Sequence, residues 1–246
     1  MWAEPPAPPS SSAAVFGERL PLATRFAAWL AGAGVERGLV GPRETDRLWD
    51  RHLLNCAVVE ALIPTGASVI DIGSGAGLPG VPLAIARPDL TVVLVESMLR
   101  RSAFLTEVVA DLGLAEVAVR RARAEDLART LTEGELADVV TARAVAPIEK
   151  LARWALPLTR PDGAVLALKG VGAAQEVSAA WPMLRRLGVT EARLVSLSLA
   201  AAPVGVTVDE VARWPEAGQV VDVTPPDAGA LVVALRGSRS ASRRSR

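Results

Sequence analysis

Between Gly17 and Gly34 apolar residues return at helical spacing (Leu20, Leu22, Phe26, Trp29, Leu30) before an Ala-Gly-Ala-Gly stop. Gly41-Pro42 breaks the chain, and a second, longer helix is predicted over 43–63, ended by Pro64. Its apolar stripe is Leu48, His52, Cys56, Val59 and Ile63, and Arg47, Arg51 and Asn55 form a polar stripe beside it. Past Pro64 the period changes. Short β-branched runs predict strands over 68–72, 91–96, 116–121, 138–142 and 163–169. Amphipathic stretches between them predict helices starting at 79 and spanning 99–112, 125–131, 147–156 and 173–187. The last strand-like runs, 190–199, 204–213 and 230–235, have no helices between them. This alternation predicts an α/β fold: a mostly parallel twisted sheet, helices on both faces, an antiparallel C-terminal finish and an N-terminal helical extension.

Four segments follow from the same pattern. Residues 1–15, rich in Pro, Ser and Ala, read as a disordered lead, 16–64 as the helical extension, 65–235 as the sheet domain and 236–246 as a disordered arginine-rich tail. The 246 residues are 50% hydrophobic and 22% charged, which suits a packed core and excludes a mainly disordered or collagen-like chain. No apolar run reaches the ~18 residues that cross a bilayer, and the first residues lack the basic and apolar regions of a signal peptide. One cysteine, Cys56, supports neither a disulfide framework nor a cysteine-rich zinc site, and no cluster has metal-ligand spacing. A reduced, cytoplasmic protein without membrane contact is expected. Its formal charge is zero, but the last eleven residues hold Arg236, Arg239, Arg243, Arg244 and Arg246 with no acid, leaving the rest at −5. A body of that sign binds nucleic acid only through a local patch.

The candidate chemistry lies in Asp71-Ile72-Gly73-Ser74-Gly75-Ala76-Gly77-Leu78-Pro79-Gly80, where the first strand turns into a helix. Glycines there let the backbone turn tightly and approach a ligand closely. Two registers fit. Gly75-x-Gly77-x-x-Gly80 matches a dinucleotide fingerprint, with Glu96 about 20 residues on for a ribose hydroxyl. Asp71-x-Gly73-x-Gly75-x-Gly77 matches the loop of S-adenosylmethionine-dependent methyltransferases. A carboxylate so near the glycines would repel a pyrophosphate, and it can order the loop or face an amino group. At the other strand ends, Glu96 would accept from a ribose, Ala124 and Glu125 would frame an adenine, and Arg143 would reach the crevice. Arg100, Arg101, Arg121 and Arg123, near the second and third strand ends, are candidate phosphate contacts, and Arg120 stands beside them.

The stretches RHLLNCAVV (51–59), VIDIGSGAGLPGVPLAIARPDLTVVLVES (69–97), RAEDL (123–127) and ADVVTARAVAPIEKLARWALPLTRPDGAVLALKG (137–170) resemble the bacterial small-subunit rRNA guanine-N7 methyltransferase family, RsmG or GidB. The resemblance covers most of 43–170, and the continuation after the glycines is its most specific part. It implies a Rossmann-like class I methyltransferase fold and S-adenosylmethionine contacts at Gly73, Leu78, Ala124, Glu125 and Arg143. It also implies methylation of a guanine in 16S rRNA, in the 530 loop of the small ribosomal subunit. The chain departs from the family after the Arg-His pair, where Asn55-Cys56 stands in place of Asp-Ser. Beyond about residue 171 the match weakens.

Guanine N7 has an in-plane lone pair and no proton, so its methylation needs positioning and no general base. Arg143 is the candidate for organising the site. His52 and Cys56, on the apolar stripe, read as core residues, and Trp29 and Trp49 as helix-packing residues. Two other classes share some of these features: a nicotinamide-dependent oxidoreductase using the overlapping glycines, and a ribosome-binding protein without activity. Nothing in the sequence sets an oligomeric state.

Overall fold

A computed structural model of the chain describes residues 5–201, 204–214 and 229–237. Eight strands form one sheet: β1 (Ser68–Ile72), β2 (Thr91–Val95), β3 (Val117–Arg120), β4 (Ala137–Arg143), β5 (Thr159–Lys169), β6 (Val189–Ala201), β7 (Val204–Trp214) and β8 (Gly229–Gly237). Their order is β3-β2-β1-β4-β5-β8-β6-β7. The first five are parallel, β8 runs antiparallel between β5 and β6, and β7 pairs antiparallel with β6. The chain leaves β1 toward β2 and β3, then returns to place β4 on the other side of β1. That reversal opens a crevice beyond the C-terminal ends of β1 and β4, where open α/β sheets bind ligands.

The helices are α1 (Ser12–Phe16), α2 (Leu20–Trp29), α3 (Asn55–Ala57), α4 (Gly80–Ala86), α5 (Leu99–Leu112), α6 (Ala124–Thr130), α7 (Ile148–Ala155) and α8 (Ala173–Arg186). α5 ends where predicted, at Gly113, whose φ of 63° lets it take the left-handed turn that closes the helix. The helix expected over 43–63 is a continuous helical path of uneven pitch. Pro42–Arg47 is tightly wound, Leu48–Leu54 widely wound, α3 regular and Val58–Leu62 tight again.

Alternate strand residues enter opposite cores, as the pleat dictates. Val69, Leu94, Val139 and Leu166 face one side with α2, α4, α5 and the 42–62 path. Ile70, Val95, Val140 and Val165 face the other with α6, α7 and α8. Val58–Leu62 packs against β6 and β8 on the first of these sides. The N-terminal helices therefore complete the core of the sheet.

Of the expected disordered lead, 1–4 lie outside the described residues, 5–11 form no helix or strand, and 12–15 differ from the expectation. Residues 12–16 form α1, Val15 and Phe16 are buried, and the Pro6 carbonyl accepts a hydrogen bond from the Trp49 indole at 2.8 Å. Val15, at the end of the Pro/Ser-rich run, buries beside Phe16 and holds that end on the core. Arg236 and Gly237, expected in the tail, belong to β8; 238–246 lie outside the described residues. Among the described residues no helix is long and apolar enough to cross a membrane.

Candidate functional site

The loop after β1 is built from the backbone outward. The N–H groups of Gly73 and Ser74 both donate to the Val95 carbonyl of β2, at 2.8 and 3.1 Å, and the Ser74 hydroxyl returns to the Asp71 carbonyl at 2.9 Å. Gly73 has φ 67°, and a methyl group on it would lie 2.9 Å from Val145 Cγ2. Gly77 has φ 94° and is turned inward, where a methyl would lie 2.7 Å from Val81 Cγ2 and 3.4 Å from the Phe26 ring. Gly73 is thus the exposed glycine of the loop, and Gly77 the one on which the loop sits against α2 and α4.

Asp71 bears on the two registers. Its carboxyl is fully buried and accepts from the Gly80 N–H at 3.1 Å, at the start of α4. The other carboxyl oxygen, Oδ1, makes no hydrogen bond to the described residues. Burial pushes the group up to about 7, against the downward pull of the Ser74 hydroxyl and the Gly80 N–H. A dinucleotide pyrophosphate would need that helix N-terminus, and here a buried carboxyl holds it. Asp71 therefore orders the loop and does not line the crevice.

Beside the loop opens a cleft of about 220 Å³, lined by Ile72, Gly73, Val95, Glu96, Ser97, Ala122, Arg123, Ala124, Glu125, Val145 and Trp154. Of the residues singled out from sequence, it gathers Gly73, Glu96, Arg123, Ala124 and Glu125. Glu96 is 4% exposed; Oε2 accepts from the Gly75 N–H at 3.1 Å and Oε1 from the Met98 N–H at 2.9 Å. The carboxylate is thereby fixed at the cleft wall with lone pairs to spare. Ala124 opens α6, so its N–H has no partner within the helix. Gly75, Gly77 and Leu78 stand in the adjoining loop, not on the cleft wall.

Arg143, the last residue of β4, is turned toward the N-terminal helices. Nη1 donates to Cys56 Sγ at 3.1 Å, and Nη2 contacts the Arg51 carbonyl at 2.9 Å and His52 Nδ1 at 3.0 Å. On its far side the His52 ring meets Glu44 through Nε2, 3.0 Å from Oε2. Burial and the Arg143 charge hold His52 down to about 4, so the ring is neutral near pH 7. Cys56 is fully buried and burial pushes its thiol up, which leaves a neutral sulfur as acceptor. His52 and Cys56 thus lie on a packed helical face, as the periodicity has it, yet they also hold the arginine.

The segment after Arg143 is clamped from the other side. Lys169 Nζ donates to the Ala146 carbonyl and pairs with Glu176, both at 2.9 Å, and Glu176 accepts from the Ile148 N–H. Ala144 takes a φ of 52°, a left-handed conformation rare without glycine, and the following Val145 lies over Gly73. Of the candidate phosphate contacts, Arg121 and Arg123 are exposed beside the cleft. Arg101 stands 3.9 Å from Glu96, and Arg100 donates to the Arg37 carbonyl at 3.0 Å. Sequence reasoning missed Trp154, the one aromatic on the cleft wall among the described residues, whose ring carries Lys150 Nζ at 4.9 Å from its centroid. Nothing in its spacing on α7 separates it from a packing residue.

Residues 19–201 match the GidB family, described as rRNA small subunit methyltransferase G. A ribosomal RNA small subunit methyltransferase G of Rhodococcus jostii is 55% identical over 205 residues, 83% of this chain and 89% of the relative. Its counterpart in a Nocardioides species is 53% identical over 220 residues, covering 88% and 85%. Among solved structures, an S-adenosylmethionine-dependent methyltransferase from Thermotoga maritima matches with a TM-score of 0.50 at 18% identity, covering 84% of this chain and 98% of its own. That last likeness concerns the fold alone.

Proposed function

The chain belongs to the GidB family of small-subunit rRNA methyltransferases, and from that premise we propose that it methylates N7 of a guanine in 16S rRNA, in the 530 loop of the small ribosomal subunit, with S-adenosylmethionine as donor. It would work in the cytoplasm, on the subunit or its RNA. The observation that carries the cofactor assignment is the cleft at the β1/β4 crevice. A buried carboxylate, the first N–H of a helix and apolar walls meet there over an exposed glycine.

Those residues fit an adenosyl group. Glu96 would accept from the two ribose hydroxyls, while the Ala124 N–H and the Glu125 carboxylate take the edge of the adenine. Ile72, Val95, Ala122, Val145 and Trp154 supply the dry slot for its ring. The backbone at Gly73 and the loop through Gly75, Gly77 and Leu78 would run under the methionyl end, and Arg143 stands at the neighbouring strand end. S-adenosylmethionine supplies an electrophilic methyl group on a sulfonium. Guanine N7 brings a lone pair and no proton, so the protein abstracts none; it holds the base in line and excludes water, an effect worth up to ~7–11 kcal/mol in favourable systems. N7 faces the deep groove of A-form RNA, so the target guanine must be unpaired or withdrawn from its stack. Arg121, Arg123, Arg100 and Arg101 would hold the flanking phosphates, Arg101 remaining within reach of Glu96.

Calorimetric titration with S-adenosylhomocysteine tests the assignment. Wild type should bind, and Glu96→Gln, which keeps the shape and removes the charge from two hydroxyl contacts, should bind at least about tenfold more weakly. Equal affinity in the two proteins, or preference for NAD, would contradict it.

A further inference from the structure

We propose that His52 is a positioning residue for Arg143, locked by Glu44 into the tautomer that carries its proton on Nε2. The proposal rests on the reading of the crevice as the methyl-transfer site. Both ring nitrogens are engaged, at 3.0 Å each, and their partners leave only one arrangement. A guanidinium has no acceptor, so Nδ1 must present its lone pair to Arg143; a carboxylate has no donor, so Nε2 must carry the hydrogen toward Glu44. Arg143, Arg51 and Glu44 are the charged groups that act on the ring. The Arg51 carbonyl and Cys56 Sγ take two further N–H groups of Arg143.

Three of the five guanidinium hydrogens are therefore spent on the 42–62 helical path. One hydrogen on Nη1 and the one on Nε remain for a ligand at the end of β4. A flexible arginine becomes a fixed fork whose direction is set from outside the sheet, 91 residues away in sequence. This gives the N-terminal helices a role at the site besides packing. A fixed donor loses less freedom on binding than a mobile one, so the arrangement should show in ligand affinity and in turnover.

The chain's one histidine makes the proposal directly measurable. In tag-free, 15N-labelled wild type at pH 7, the histidine nitrogens should show an Nε2–H tautomer with Nδ1 as acceptor. Glu44→Ala should release the ring into a tautomer mixture. His52→Phe, which keeps ring volume without an acceptor, should lose about tenfold in S-adenosylhomocysteine affinity and in methyl transfer. His52→Asn, whose Oδ1 can stand in for Nδ1, should recover most of that loss, a rescue that a purely packing role would not produce. An Nδ1–H tautomer overturns the proposal, as does wild-type behaviour in His52→Phe or an Asn variant no better than Phe. Each of these, with cofactor binding intact in wild type, leaves the functional reading standing. Failure of wild type itself to bind S-adenosylhomocysteine overturns that reading and the positioning role with it. Should His52→Phe not fold, the wild-type and Glu44→Ala tautomers still decide.

Discussion

Asp71 carries the clearest consequence of burial at a single residue. Its folded-state value of about 7 lies above the ordinary 3.8, so the protonated form suits the folded protein better than the charged one. Stability tied to this group is therefore greatest near pH 4 and is lost as pH rises toward 7, at up to about 1.4 kcal/mol per pH unit. Asp71→Asn can still accept from the Gly80 N–H and has no charge to bury. Relative to wild type, the variant should gain about 3 kcal/mol between pH 5 and pH 7.5 in denaturant unfolding. A difference independent of pH would show that Asp71 ionises freely in the fold. At this scale the sequence is readable where one rule applies. Gly73, Glu96, Ala124 and Glu125 fall at strand ends or just beyond, and strand ends converge on the crevice. The direction of Arg143 was not readable. Its partners lie on a helix 87 to 92 residues earlier in the chain, and hydrophobic periodicity describes the face His52 occupies, not what its nitrogens meet.

The elements show why the N-terminal helices cannot be regarded as an appendage. Arg37 forms a paired ion bridge to Glu107, and the Trp29 indole donates to Asp111, so α2 and its continuation are seated on α5. Such exposed pairs contribute little each, and the apolar face beneath them contributes more. Phe26, fully buried, closes that face under Gly77. Phe26→Ala should cost about 3–5 kcal/mol in urea unfolding. It should also weaken S-adenosylhomocysteine binding, because the loop rests on the lost ring. Destabilisation with unchanged binding would mean that the loop holds its shape without α2. The long second helix was legible as an element, since its stripe is buried apart from the partly exposed His52, whereas its uneven pitch was not. Spacings of three and four fit tight, regular and wide turns alike, and only the surface it packs on selects among them. The end of the expected lead, 12–15, differs for a related reason. Composition weighed the prolines and serines of 5–12 above Val15, which finds a core beside Phe16.

For the whole molecule, fold class was the most legible, because short strand–helix repeats leave few arrangements. The order of the last three strands was not set by pattern. β8 slips between β5 and β6, which pairs strands distant in sequence. Charge also acts at this scale. On the function proposed above, the body's negative balance would confine RNA to the arginines near the cleft and those after Gly237: Arg239, Arg243, Arg244 and Arg246. Truncation after Gly237 leaves β8 intact. It should reduce the salt dependence of RNA binding by up to about 3 in log–log slope, at ~0.7 per phosphate on single strands. An unchanged slope would exclude the tail from the RNA contact. The measurement that bears most directly on the central claim is transfer of a radiolabelled methyl group from S-adenosylmethionine to unmethylated 16S rRNA, naked and in small subunits, with the product mapped by nucleotide. Label as N7-methylguanine at one position in the 530 loop is the predicted result. Label on another atom or another RNA, or none on either substrate from a protein that binds S-adenosylhomocysteine, would contradict it.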